Sequence, residues 1–196
     1  MHSSNGIIIS GPSGSGKTTV IRELCKHFHE FYEVIGCTTR EKRPGELEGV
    51  DFYFVSKTKF DEMISNDELL EYERPYNGDY YGIPKTELGR QTGFAIFNLG
   101  IESTKFIGKS YDFPRIYILP ENKEILRARM SNRGLYRYER AKTDIELIEE
   151  VYDFILINKT GKLSETVYNL YAIANKNPNP ETIISNNHAF ISTFFH

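Results

Sequence analysis

Residues 11–18 read GPSGSGKT, directly after the apolar run Ile7-Ile8-Ile9 and at the head of a helical segment, Thr18–His29. No other stretch narrows the possible folds so far. The pattern G-x-x-x-x-G-K-[ST] between a strand and a helix is a phosphate-binding loop. Its glycines let bare backbone N–H groups point inward, and the helix N-terminus adds partial positive charge at the same place. Gly11, Pro12, Ser13, Gly14, Ser15, Gly16, Lys17, Thr18 and Thr19 are therefore the expected contacts to a nucleoside triphosphate. Lys17 reaches for the β- and γ-phosphates, and the Thr18 hydroxyl enters the Mg²⁺ shell.

The rest of the composition sets limits. A chain of 196 residues, 39% hydrophobic, is one globular domain of ordinary size. A net charge of -3 provides no basic field for nucleic acid. No apolar stretch approaches the roughly 20 residues of a membrane helix, and no apolar leader opens the chain. Cys25 and Cys37 are the only cysteines and read as free thiols, which fits the cytoplasm. No Ser–His–Asp set or His–Cys ligand spacing is present, so protease and zinc-site readings are poor.

Periodicity predicts alternating strands and helices. Strands are expected at Ile7–Ser10, Glu33–Thr39, Val50–Val55, Glu68–Glu73, Phe94–Leu99, Arg115–Leu119 and Phe154–Ile157. Helices are expected at Thr18–His29, Lys57–Asn66, Pro84–Gln91, Asn122–Asn132, Asp144–Asp153 and Lys162–Ala174, and Asn77-Gly78 marks a hairpin turn. This order implies an α/β fold with a parallel sheet flanked by helices. The expected organisation is a single domain over 1–176. Its core covers about 5–35 and 84–176, with a small β-rich insertion at about 36–83 and an Arg-rich lid at about 131–143. After the Pro178 and Pro180 break, the tail 177–196 either lies loose or docks.

A second constellation lies at residues 38–54, TTREKRPGELEGVDFYF. Arg40 and Arg43 stand three apart, so both guanidinium forks can grip one phosphate. Taken alone, the acids around them also fit a solvated turn. The segment resembles the acceptor-binding segment of guanylate kinases. The likeness continues through Asp67-Glu-Leu-Leu-Glu71 and Asn77-Gly-Asp-Tyr-Tyr-Gly82, and with the phosphate loop and Arg133-Gly134 it covers most of residues 5–175. It implies a P-loop nucleoside monophosphate kinase that phosphorylates GMP, and dGMP, with Mg-ATP. The implied acceptor contacts are Thr38, Arg40, Arg43, Phe52, Glu71, Tyr81 and Gly82, with Glu71 facing the base. A carboxylate only accepts hydrogen bonds, which suits guanine's ring N–H and amino group and repels adenine's ring acceptor.

Several positions depart from the family pattern. Gly36 stands for a base-contacting serine, Phe52 for a phosphate-contacting tyrosine, and Ile83 for a small hydroxyl residue. Asn98 and Gly100 replace an acid-x-acid pair, of which the family's first acid lies near the metal and the second assists guanine. Asn98 still offers a carbonyl oxygen to Mg²⁺ or its water. Gly36, Ile83 and Gly100 together predict a more apolar or roomier base side, with Thr38 or Cys37 as compensating partners.

The resemblance also implies a lid whose arginines close on the triphosphate, with Arg133 and Arg140 first and Arg129 and Arg137 next, and it sets Asn158 near the adenine. The expected chemistry is in-line transfer between ATP and GMP. The chain is expected to act as a monomer or homodimer. The alternatives are a kinase of the same fold with another phosphorylated acceptor, and a binding module without catalysis.

Overall fold

The structure is a computed structural model that describes residues 5–74, 78–88, 90, 93–130, 145–178, 183–184 and 194. Among these, a six-stranded sheet forms the core, in the order β10-β9-β8-β1-β7-β2. Its strands are β1 (Asn5–Ser10), β2 (Phe31–Glu33), β7 (Phe94–Asn98), β8 (Arg115–Pro120), β9 (Phe154–Asn158) and β10 (Ile183–Ile184). All pair in parallel except β10, which runs antiparallel to β9.

A parallel sheet covered on both faces needs strands that are apolar throughout. Ile7, Ile8 and Ile9 meet that need with no exposed surface. Alternation sends Ile7 and Ile9 to one face and Ile8 to the other. On the first face they pack with Val20, Ile21 and Leu24 of α1 (Lys17–His27) and with Val167, Leu170 and Ile173 of α6 (Leu163–Ala174). On the other face, Ile8 and Phe97 meet Ile107 of α3 (Ile101–Ser110). Farther along that face lie Leu126 of α4 (Lys123–Met130) and Ile148 of α5 (Ile145–Val151). Of the tail's described residues, Ile183 and Ile184 extend the sheet beyond β9, and Phe194 is buried in the cluster with Leu126 and Ile148.

A second sheet of four strands, order β4-β3-β6-β5, stands beside the first. It comprises β3 (Cys37–Thr38), β4 (Tyr53–Phe54), β5 (Leu69–Glu73) and β6 (Tyr81–Pro84). Helix α2 (Lys57–Ser65) covers it, started by the Ser56 hydroxyl accepting from Lys59 N, with Phe60 and Met63 in its small core.

Four expectations need correction. The strand expected at 33–39 is split. Val34 N still donates to Ile96 O, but the Glu87 carboxylate captures Ile35 N, and the chain passes to the second sheet. The strand expected at 50–55 shrinks to Tyr53–Phe54, and Val50 is exposed. The helix expected at 84–91 is instead the end of β6, with Pro84 opposite Leu69, and one 3₁₀ turn, Lys85–Glu87. Glu87 is buried there, accepting from Ile35 N and from Tyr53 OH, so that turn joins the two sheets. Helix α3 was not expected at all. Asn77 of the hairpin turn lies outside the described residues, while Gly78 has φ 82°.

Candidate active site

The ends of β1 and β7 open into a cleft of about 420 Å³, where ligands bind in open α/β sheets. The phosphate loop forms one end of it. Gly16 caps α1 at φ 93°, and a methyl group there would strike Asn158 Nδ2. Lys17 turns back across the loop and donates to Gly11 O at 2.6 Å and Pro12 O at 3.0 Å. Gly11, Pro12, Ser13, Lys17 and Thr18 line the cleft. Ser15 is fully buried, and its hydroxyl has no partner among the described residues. Thr19 is exposed, one position along α1, and does not line the cleft.

Two expected residues act on the loop from behind. Asn158, at the end of β9, donates Nδ2 to Ser15 O at 2.9 Å and does not line the cleft. Arg129, on α4, donates to Gly14 O at 3.3 Å. Arg133, Arg137 and Arg140 lie outside the described residues.

The second sheet forms the opposite end. Arg40 is held by a two-pronged pair with Glu46, at 2.8 and 3.0 Å, and donates also to Glu41 O. Its guanidinium lies 5.6 Å from the ring centre of Phe52 and 5.7 Å from that of Phe54. It also hydrogen-bonds Tyr81, whose ring meets Phe52 edge-on. Glu46 in turn accepts from Arg43 N at 2.8 Å, which draws both arginines to one carboxylate. Phe52 thus supports the Arg40 guanidinium through its ring face. Arg40, Arg43, Phe52, Glu71, Tyr81 and Gly82 all line the cleft.

Thr38 does not. It is fully buried, donates to Tyr80 O and accepts from Arg40 N, so it fixes the backbone that carries Arg40. Cys37 Sγ is likewise turned to Gly82 O. Neither compensates for the missing serine at position 36.

The base side is not simply roomier. Around Gly36, a methyl group would already be in contact with Ile83 and Phe52, so apolar side chains fill that place. Opposite Gly100, the Glu73 carboxylate stands within 2.8 Å of where a methyl group would be. Glu71 is buried at 7% exposure and hydrogen-bonds Ser103 on α3. Near the loop, Asn98 hydrogen-bonds Glu33, and both line the cleft with Thr18. Sequence reading missed Ser103, Glu33 and Glu73. Glu33 and Glu73 stood only as end positions of expected strands, and Ser103 fell where no element was expected.

Burial pushes the Glu71 carboxyl up to about 7 from 4.5, against the Ser103 hydrogen bond and with help from the Glu73 charge. Between those two values the folded protein holds a proton that the unfolded chain has released. Stability therefore falls as pH rises through this window. Glu71→Gln is expected to stabilise the ligand-free protein at pH 8 by on the order of 1–3 kcal/mol, a gain that shrinks toward pH 5. Thermal melts across pH check it, and a variant no more stable than the unmutated protein at pH 8 refutes it.

Comparison with known proteins agrees with this geometry. The sequence model described as guanylate kinase matches residues 3–176. A guanylate kinase of Carboxydothermus hydrogenoformans is 35% identical over 168 residues, covering 81% of this chain and 82% of that protein. One from Lactococcus lactis is 36% identical over 170 residues, with coverages of 81% and 82%. The crystal structure of guanylate kinase from Anaplasma phagocytophilum superposes with a TM-score of 0.73 at 24% identity, over 94% of this chain and 92% of that one, which establishes a shared fold.

Proposed function

The chain belongs to the guanylate kinase family, and on that premise we propose how its own residues move the terminal phosphate of ATP to GMP. One observation carries the assignment. Lys17 and Thr18 at one end, and Arg40, Arg43, Tyr81 and Glu71 at the other, line a single cleft.

The phosphate loop and Lys17 hold the triphosphate, with Asn158 and Arg129 keeping the loop in shape. Arg40 and Arg43 take the GMP phosphate, with Tyr81 beside them, and Glu71 accepts from the guanine edge. The attacking phosphate oxygen is already ionised, so no general base is required. Alignment, exclusion of water and positive charge suffice. Arg133, Arg137 and Arg140 are assigned the neutralising role from their place in the sequence.

The corner by Thr18 suits Mg²⁺. No group of three or more His, Cys, Asp or Glu forms a self-sufficient metal cage among the described residues. Magnesium prefers one or two protein ligands with phosphates and waters. Thr18 would hold it directly, and Asn98, steadied by Glu33, would hold its water. When bound, the ion offsets charge on the phosphate oxygens. No helix among the described residues is long and apolar enough to cross a membrane. The two free cysteines suit the reducing cytoplasm, where we place the protein.

The test is a coupled assay with Mg-ATP against a panel of nucleoside monophosphates. GMP is expected to exceed AMP, CMP and dTMP in kcat/KM by roughly a hundredfold or more, since a site built for a ring N–H and an amino group side by side rejects bases that lack that adjacent pair. Equal turnover across the panel refutes the assignment.

A further inference from the structure

We propose that Glu73 is a second base-reading residue, accepting a hydrogen from the exocyclic amino group of guanine beside Glu71. The inference rests on GMP being the acceptor and adds to it the residue that recognises the 2-amino group.

Glu71 and Glu73 lie two apart on β5, so their side chains leave the same face of the strand, and both line the cleft. Glu73 is brought inward to a specific place. Its carboxylate oxygens lie 2.8 and 3.2 Å from the point where a Cβ on residue 100 would sit. Gly100 has φ -75° and ψ 174°, which any residue adopts, so the backbone does not demand glycine there. What occupies the space is the carboxylate of Glu73.

Two carboxylates facing one cleft repel each other unless donors arrive between them. Guanine brings three N–H bonds on one edge, one from the ring and two from the amino group. A single carboxylate has two oxygens, which match the ring N–H and one amino hydrogen. The second amino hydrogen needs another acceptor, and Glu73 stands on the same strand face to take it. Ser103 serves a different end, donating to Glu71 and holding it in line.

The experiment compares kcat/KM for GMP and IMP, whose base keeps the ring N–H and lacks the amino group. Glu73→Ala is expected to shrink the GMP:IMP ratio by roughly tenfold to a hundredfold, the range for losing a hydrogen bond to a charged acceptor. Glu73→Gln keeps an acceptor oxygen and is expected to retain most of the preference. Gly100→Ala supplies an independent route, because its methyl group claims the place of the carboxylate and pushes that flexible end aside. It is expected to lower the ratio in the same direction without lowering the melting temperature, which separates loss of recognition from loss of fold. A ratio unchanged in both Glu73→Ala and Gly100→Ala overturns the inference and leaves the GMP assignment intact. Failure of the unmutated protein to phosphorylate GMP overturns the assignment itself, and this inference with it.

Discussion

Replacing Lys17 with alanine is expected to lower kcat by roughly a thousandfold, comparable to removing one preorganised charge-stabilising donor from an active site. The side chain spans its own loop, donating to the carbonyls of Gly11 and Pro12. On the proposed reading, an ammonium held there would meet the β- and γ-phosphates and stay beside the charge as transfer proceeds. Alanine removes that cation and leaves two carbonyl oxygens aimed at the anion. Lys17→Arg is expected to fail almost as badly, because a planar fork cannot occupy the position of a compact ammonium. Melting temperatures should stay close to that of the unmutated protein, since the side chain takes no part in the apolar core. A kcat within tenfold of the unmutated value for Lys17→Ala would show that the loop does not hold the donor as described.

The second large effect is expected at the acceptor clamp. Arg40→Ala should raise KM for GMP by roughly a hundredfold to a thousandfold, in line with the 2–5 kcal/mol lost when one partner of a buried, hydrogen-bonded charge pair is truncated. The Arg40 side chain is only 9% exposed and is gripped by both oxygens of Glu46. On the proposed reading its removal deletes a phosphate ligand and leaves the Glu46 carboxylate, which lines the same cleft, without its paired cation. Arg43 holds Glu46 through its backbone, so Arg43→Ala leaves that contact in place and should cost less. The double variant Arg40→Ala with Glu46→Gln should recover part of the loss, because the repulsive carboxylate has gone. Steady-state kinetics with GMP as the varied substrate decide this. Equal KM values for Arg40→Ala and the unmutated protein would refute the clamp.

What could be read before the fold was known follows from how local each determinant is. The phosphate loop is spelled out in eight consecutive residues because its glycine backbone and its lysine and threonine side chains all act within that one stretch. The strands β1, β7, β8 and β9 were equally plain, since burial on both faces forces unbroken apolar runs. Helix α3 escaped because its buried face is partly polar. Ser103 and Thr104 are 3% and 0% exposed and are committed to hydrogen bonds with Glu71 and with Gly100 O. Thr104 also lies within hydrogen-bond reach of Ser10 and Tyr152. Apolar periodicity cannot register such a face. Glu87 defeated the expected helix at 84–91 through long-range partners, Ile35 N and Tyr53 OH, that no local pattern reveals. The acids Glu33 and Glu73 were not singled out because their neighbours in space, Asn98 at the end of β7 and Gly100 at the start of α3, are distant in the chain.

The closeness of Glu73 to Gly100 couples two distant stretches of the chain. A negative charge at this spot can be supplied from either of two chain segments, and the segment that supplies it dictates what the other tolerates. The Glu73 carboxylate and a side chain on residue 100 claim one volume, so a change at either position has to be weighed together with the other, although 27 residues of chain separate them.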